Sequence, residues 1–100
     1  MNFTIKEENG ALKGILDGRL DTAAAADFVK DVKPLLDQAD KEIVLDCEKL
    51  EYISSSGLRV FLALRKEAAN KGGKVIIENI NAEIRNVFTM TGFLNLFEIR

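Results

Sequence analysis

Ser54, Ser55 and Ser56 run directly into Gly57 and Leu58, and this is the segment with the most chemical potential in the chain. A serine hydroxyl can act as a nucleophile, cap a helix or accept a phosphoryl group. The nucleophile reading lacks its machinery. A Gly-x-Ser-x-Gly elbow needs glycine where Ile53 stands. The chain has no His to serve as a general base, and no Lys follows any of the serines by three positions. The phosphate-cradling motifs Gly-x-x-x-x-Gly-Lys-Ser/Thr and Gly-x-Gly-x-x-Gly are absent, and Gly72-Gly73-Lys74 leads into a strand-type run. Two readings remain. In one, a serine accepts a first-turn N–H bond and caps a helix, worth ~1 kcal/mol. In the other, a serine accepts a phosphoryl group. A helix N-terminus offers free N–H groups and a positive dipole end that tolerate a charge of about −1.5 to −2. Arg59 lies four residues after Ser55, within reach on one helix face.

The other candidates are weaker. Asp46 follows the buried-type run Ile43-Val44-Leu45, the position of a phospho-acceptor in a response-regulator receiver. A receiver also needs an early acidic pair and a Lys after a late strand. Here Glu7-Glu8 falls at a hairpin and Asn79-Ile80-Asn81 follows the late strand, so Asp46 reads as a turn or helix-cap acceptor. Cys47, at the same strand end, reads as a small buried hydrophobe. Tyr52 has no Arg or Lys beside it in sequence and does not read as a stacking platform.

Composition narrows the classes further. With no His and one Cys, His-ligated metals, internal disulfides, CxxC pairs and Cys-rich zinc sites are excluded, and an enzyme is the least supported class. A formal charge of −2 without any basic run argues against direct nucleic-acid binding. No apolar stretch approaches the roughly 18 residues of a membrane span, and Met1 to Lys6 lacks a signal-peptide pattern. The expectation is a cytoplasmic protein with a reduced thiol, forming a single domain over residues 1–100 without repeats or linkers.

The elements that position these residues follow from periodicity. Phe3 and Ile5 alternate with Thr4 and Lys6, Asn9-Gly10 signals a type I′ turn, and Leu12, Gly14 and Leu16 continue the period of two. Asp21 or Thr22 can cap a helix carrying Ala24, Phe28, Val32, Leu35, Leu36 and Ala39, which Pro34 kinks or splits. Ile43-Val44-Leu45 predicts a central strand. The serines open a second helix with Leu58, Phe61, Leu62 and Ala68, stopped at Gly72-Gly73. Val75-Ile76-Ile77 is a further strand. Asn81 caps a third helix that ends at Gly92, and Leu96 to Ile99 can form a last strand. The fold class is α/β: a small mixed β-sheet, an N-terminal antiparallel hairpin followed by parallel strands, with helices packed on it. The loops after the parallel strands gather on one edge, which brings Asp21 and the serines together.

The segment from Ile43 to Leu58, IVLDCEKLEYISSSGL, closely resembles the signature of the STAS family, which includes the bacterial anti-sigma factor antagonists. Gly18-Arg19-Leu20-Asp21, and Met90-Thr91-Gly92-Phe93 with Leu96-Phe97-Glu98-Ile99, are similar to two further family segments. The resemblance implies a STAS-like fold and a switch. The unmodified domain binds an anti-sigma factor and frees the sigma factor. That partner is also an ATP-dependent serine kinase, whose phosphorylation of the domain ends the binding, and a serine phosphatase resets it. Carried onto this chain, the acceptor is Ser55, with Ser56 and Ser54 as alternatives. The partner contacts are Asp21, Thr22, Ser54, Ser56, Gly57, Leu58 and Arg59. ATP and Mg²⁺ belong to the partner, so no cofactor or metal is expected, and the domain is expected to be a monomer or weak dimer. Ser54 stands where the family often has Asp, which removes a fixed charge beside the site. The chain stops at Arg100, where relatives often continue into a closing helix, so one face is expected to be bare or covered by a partner or second copy. The competing readings are a STAS scaffold subunit that is never phosphorylated, for instance in a lipid-transport complex, and a small nucleotide- or lipid-binding module.

Overall fold

Asn9 and Gly10 take positive φ angles of 52° and 82° and fold Asn2–Glu8 (β1) back antiparallel onto Ala11–Leu20 (β2). This is the turn geometry that Asn-Gly favours. The computed structural model describes residues 1–100. After β2 the chain alternates helix and strand: Thr22–Asp31 (α1), Lys33–Asp37 (α2), Glu42–Ile53 (β3), Ser55–Lys71 (α3), Lys74–Glu78 (β4), Ala82–Met90 (α4), a 3₁₀ turn at Phe93–Leu96 and Glu98–Ile99 (β5). The five strands form one sheet in sequence order, with β2 to β5 parallel. Pro34 sits in the first turn of α2, and the predicted long helix is split at Val32. Proline's missing N–H is harmless in a first turn and damaging in a helix interior. The last strand is shorter than the sequence suggests, because Phe93–Leu96 coils into the 3₁₀ turn first.

β3 differs most from expectation. It runs for 12 residues, well beyond Cys47, so Asp46 and Cys47 lie within the strand and not at its end. The register against β2 shifts twice, between Ile15/Asp17 and between Gly18/Arg19, and each shift places an extra residue on β3. Such bulges break the period of two. Cys47, Leu50 and Ile53 are therefore buried at a spacing of three, while Glu48, Lys49, Glu51 and Tyr52 are exposed.

The core lies between the inner sheet face and the helices. Leu16, Leu45, Leu50 and Ile77 meet Phe28, Leu64, Ile84 and Phe88, all buried. A chain of aromatic contacts ties the elements together: Phe3 to Phe28 at 5.1 Å, Phe28 to Phe61 at 6.0 Å and Phe61 to Phe88 at 5.9 Å. On the other sheet face Val44 and Ile76 lie outside this cluster, flanked by ion pairs. Lys13 pairs with Glu78 at 3.1 Å and Asp46 at 3.6 Å, and Arg100 pairs with Glu42 at 3.3 Å and Glu98 at 3.4 Å. The Arg100 backbone is hydrogen-bonded on both sides of the β4 end, to Ile77 and Asn79. No helix is long and apolar enough to cross a membrane.

Candidate functional site

β2 and β3 end level. Leu20 is paired with Ile53, and the next residue, Ser54, donates its N–H to the Leu20 carbonyl at 2.8 Å. Asp21 and Ser54 therefore leave the sheet as spatial neighbours, and each caps the helix it opens. Asp21 Oδ1 accepts from the Ala24 N–H at 2.8 Å, and Ser54 Oγ accepts from the Gly57 N–H at 3.1 Å. Both caps have extended backbone, as a residue turning from strand into helix requires. The sequence expectation that Asp21 and the serines share one edge matches this geometry.

The three serines have different environments. Ser54 is 8% exposed, and its hydroxyl is committed to the α3 cap. Its hydroxyl therefore serves the helix start, and little of Ser54 is left on the surface. Ser55, the first residue of α3, is exposed, and Ser56 after it is half-buried. Gly57 and Leu58 are both buried. A Cβ on Gly57 would meet the Leu20 side chain at 2.7 Å and Ile53 at 3.1 Å, so glycine lets α3 start close against the sheet. Leu58 is 4% exposed and belongs to the core. Asp21, Thr22, Ser55 and Arg59 remain on the exposed edge, with Ser56 half-buried beside them.

No carboxylate occupies the first turn of α3, so its N-terminal N–H groups face an uncharged cap. A dianion on Ser55 would be placed favourably toward that helix end. Asp46 is neither a helix cap nor a strand-end group. It sits at the first β3 bulge, accepting the Glu48 N–H at 3.0 Å while paired with Lys13. Hydrogen bonding to Glu78 raises the pKa of Lys13 against the opposing effect of its burial. Burial, with the neighbouring Asp46 charge second, pushes the Cys47 thiol up to about 12. Cys47 is therefore a protonated packing residue at neutral pH and no nucleophile.

One feature of this edge was not legible in the sequence. Arg19 lies opposite Tyr52 in the register, with its guanidinium carbon 4.6 Å from the ring centroid. Tyr52 therefore has the cationic neighbour it lacks along the chain, supplied across the sheet, and the pair is exposed on both sides. The only available signal was that each residue precedes the last inward residue of its strand, Leu20 or Ile53. No group of three or more His, Cys, Asp or Glu side chains converges to hold a metal ion.

Residues 2–100 match the sequence profile of the STAS domain. BtrV, a candidate anti-sigma factor antagonist of Bordetella bronchiseptica, is 31% identical over 99 residues, spanning 99% of this chain and 85% of that protein. A candidate anti-sigma factor antagonist from Thermotoga maritima superposes with a TM-score of 0.87 at 23% identity, covering 97% of this chain and 84% of that one. The anti-sigma factor antagonist SpoIIAA in its unphosphorylated form gives 0.81 at 21% identity, over 99% and 88% of the two chains. The phosphorylated form of SpoIIAA, a Bacillus cell fate determinant, gives 0.74 at 22% identity, over 99% and 91%. At these identities the structural likeness concerns the fold.

Proposed function

The chain belongs to the STAS domain family, and from that premise we propose that it is an anti-sigma factor antagonist switched off by phosphorylation of Ser55. It is a non-catalytic regulatory protein. The unphosphorylated domain binds an anti-sigma factor through the edge formed by Asp21, Thr22, Ser55, Ser56 and Arg59, and so frees the sigma factor. The observation that carries this reading is the exposed Ser55 hydroxyl, set on the contact edge and free of the capping duty that Ser54 performs. The 31% identity with BtrV, a candidate anti-sigma factor antagonist, supports the antagonist reading.

The anti-sigma factor is itself the serine kinase. ATP and Mg²⁺ bind to it, and the Ser55 Oγ takes the γ-phosphoryl group as ADP leaves and the hydroxyl proton is lost. The new dianion blocks docking by repulsion and by the cost of desolvating it at an interface. A phosphatase reverses the step. The working unit is a single domain over residues 1–100, monomeric or weakly dimeric, in the cytoplasm.

Incubation with the cognate anti-sigma kinase and ATP, followed by peptide mass spectrometry, should place phosphate on Ser55. Label absent from Ser55 would overturn the switch. Ser55→Ala should fold and bind the partner with wild-type affinity and stay bound in the presence of ATP. Constitutive binding by an unlabelled wild-type chain would favour the scaffold reading instead.

A further inference from the structure

Beside Ser55 lies a groove that shares Ser56 and Arg59 with the contact edge and extends beyond it. α1 and α2 on one side and α3 on the other enclose an apolar groove of about 300 Å³, lined by Val29, Val32, Leu36, Val60 and Ala63. It opens at the α3 start, where Ser56 and Arg59 complete its wall. Val29 in α1 is 53% exposed, so the groove is open to solvent on that side. The lining includes no carboxylate. Arg59 takes part in none of the ion pairs, so the groove carries one uncompensated positive charge in a chain of net charge −2.

We propose that this groove receives an amphipathic helix of the anti-sigma partner, with aliphatic side chains on Val29, Leu36 and Ala63 and a carboxylate on Arg59. The proposal rests on the Ser55 switch and deepens it. Two observations select this occupant. The first is charge complementarity: the apolar wall accepts an aliphatic ridge, and the unpaired guanidinium at its mouth asks for an anion. The second is continuity: Ser56 belongs both to this wall and to the edge that holds Ser55, so one partner can cover both. From Ser56 to Ala63 the α3 wall extends for about two turns, which suits a helical segment reading i, i+3/i+4 and i+7.

The geometry also gives the phosphate a second way to release the partner. Ser55 and Arg59 are one turn apart, and residues at that spacing sit about 5–6 Å apart at their Cβ atoms. A phosphate on Ser55 competes with the partner's carboxylate for the same guanidinium. Release then combines repulsion at the edge with loss of the anchor in the groove.

The probe is the anti-sigma kinase that transfers phosphate to Ser55, and the readout is its dissociation constant for the unphosphorylated domain. Val29→Glu and Arg59→Gln should each weaken binding about tenfold or more, the effect of losing an interface anchor, while far-UV circular dichroism and Tm stay near wild type. Phosphorylation of Ser55 should lower affinity by a smaller factor in Arg59→Gln than in the wild type. Labelling of Ser55 together with unchanged affinity of Val29→Glu would overturn the groove and leave the switch standing. An equal phosphorylation penalty in both backgrounds would overturn the competition for Arg59. A concentration-dependent dimer in sedimentation, abolished by Val29→Glu, would assign the groove to a second copy and overturn the partner helix. Failure of any kinase to label Ser55 would remove the switch and this proposal with it.

Discussion

Replacing Ser54 by Ala deletes the oxygen that accepts the Gly57 N–H at 3.1 Å and leaves a donor at a buried glycine without a partner. Loss of a serine cap costs about 1 kcal/mol in typical proteins, with a range up to about 2. Burial of the orphaned N–H moves this case toward the upper end, because water cannot replace the lost oxygen. The unfolding entropy of a domain this size is about 0.2 kcal/mol/K, so the change corresponds to a fall in Tm of about 5–10 °C. Thermal denaturation followed by circular dichroism measures it directly. Ser54→Asp should recover most of the loss, since a carboxylate caps as well as a hydroxyl and favours the positive helix end. Mass spectrometry after incubation with the kinase adds a second readout, and phosphate should still reach Ser55 in Ser54→Ala. A wild-type Tm for Ser54→Ala would refute the capping argument. Loss of the phosphoryl label in a folded Ser54→Ala protein would refute the assignment of separate roles to Ser54 and Ser55.

Further tests bear on other parts of the molecule. Asn81 caps α4 through the Ile84 N–H at 3.0 Å and donates to the Leu50 carbonyl at 2.7 Å, so it pins α4 to the bulged half of β3. Asn81→Ala should cost about 2 kcal/mol in urea denaturation, and Asn81→Asp, which keeps only the cap, about half of that. Cys47 should resist a thiol reagent at pH 8 in the folded protein and react at a rate set by global unfolding; fast stoichiometric labelling without denaturant would contradict its burial. Lys13 and Cys47 both hold their protons more tightly when folded. The unfolded chain therefore releases these protons first as pH rises, so stability should be level near neutrality and decline from about pH 8.5 upward, first through Cys47 and above about pH 10.4 through Lys13. Denaturant midpoints across that range check this, and Cys47→Ala should remove the earlier part of the decline.

The features legible in the sequence are those decided within a few residues. Asn9-Gly10, the caps at Asp21 and Asn81, the break at Pro34 and the stop at Gly72 each depend on local backbone geometry, and each lies where the residue types place it. The second half of β3 was hidden because its bulges replace the period of two with a spacing of three, a rhythm that resembles neither a regular strand nor a loop. The inward rotation of Gly57 and Leu58 depends on how closely α3 approaches Leu20 and Ile53, which is a property of packing between elements. The contacts of Arg19 with Tyr52 and of Lys13 with Asp46 depend on the register of β2 against β3, where residues distant in sequence become neighbours.

The Arg19–Tyr52 stack has a further consequence. Tyr52 is the only tyrosine and the chain has no tryptophan, so one ring accounts for nearly all of the protein's intrinsic ultraviolet emission. That ring stands two residues before the α3 cap, under a guanidinium, on the edge where docking is proposed. A partner that covers the ring or draws Arg19 away changes the only bright fluorophore against a dark background. The molecule thus carries its own optical reporter beside the proposed docking edge. Docking and release can be timed by stopped flow with a partner fragment free of tyrosine and tryptophan, without attaching a dye to the surface under study.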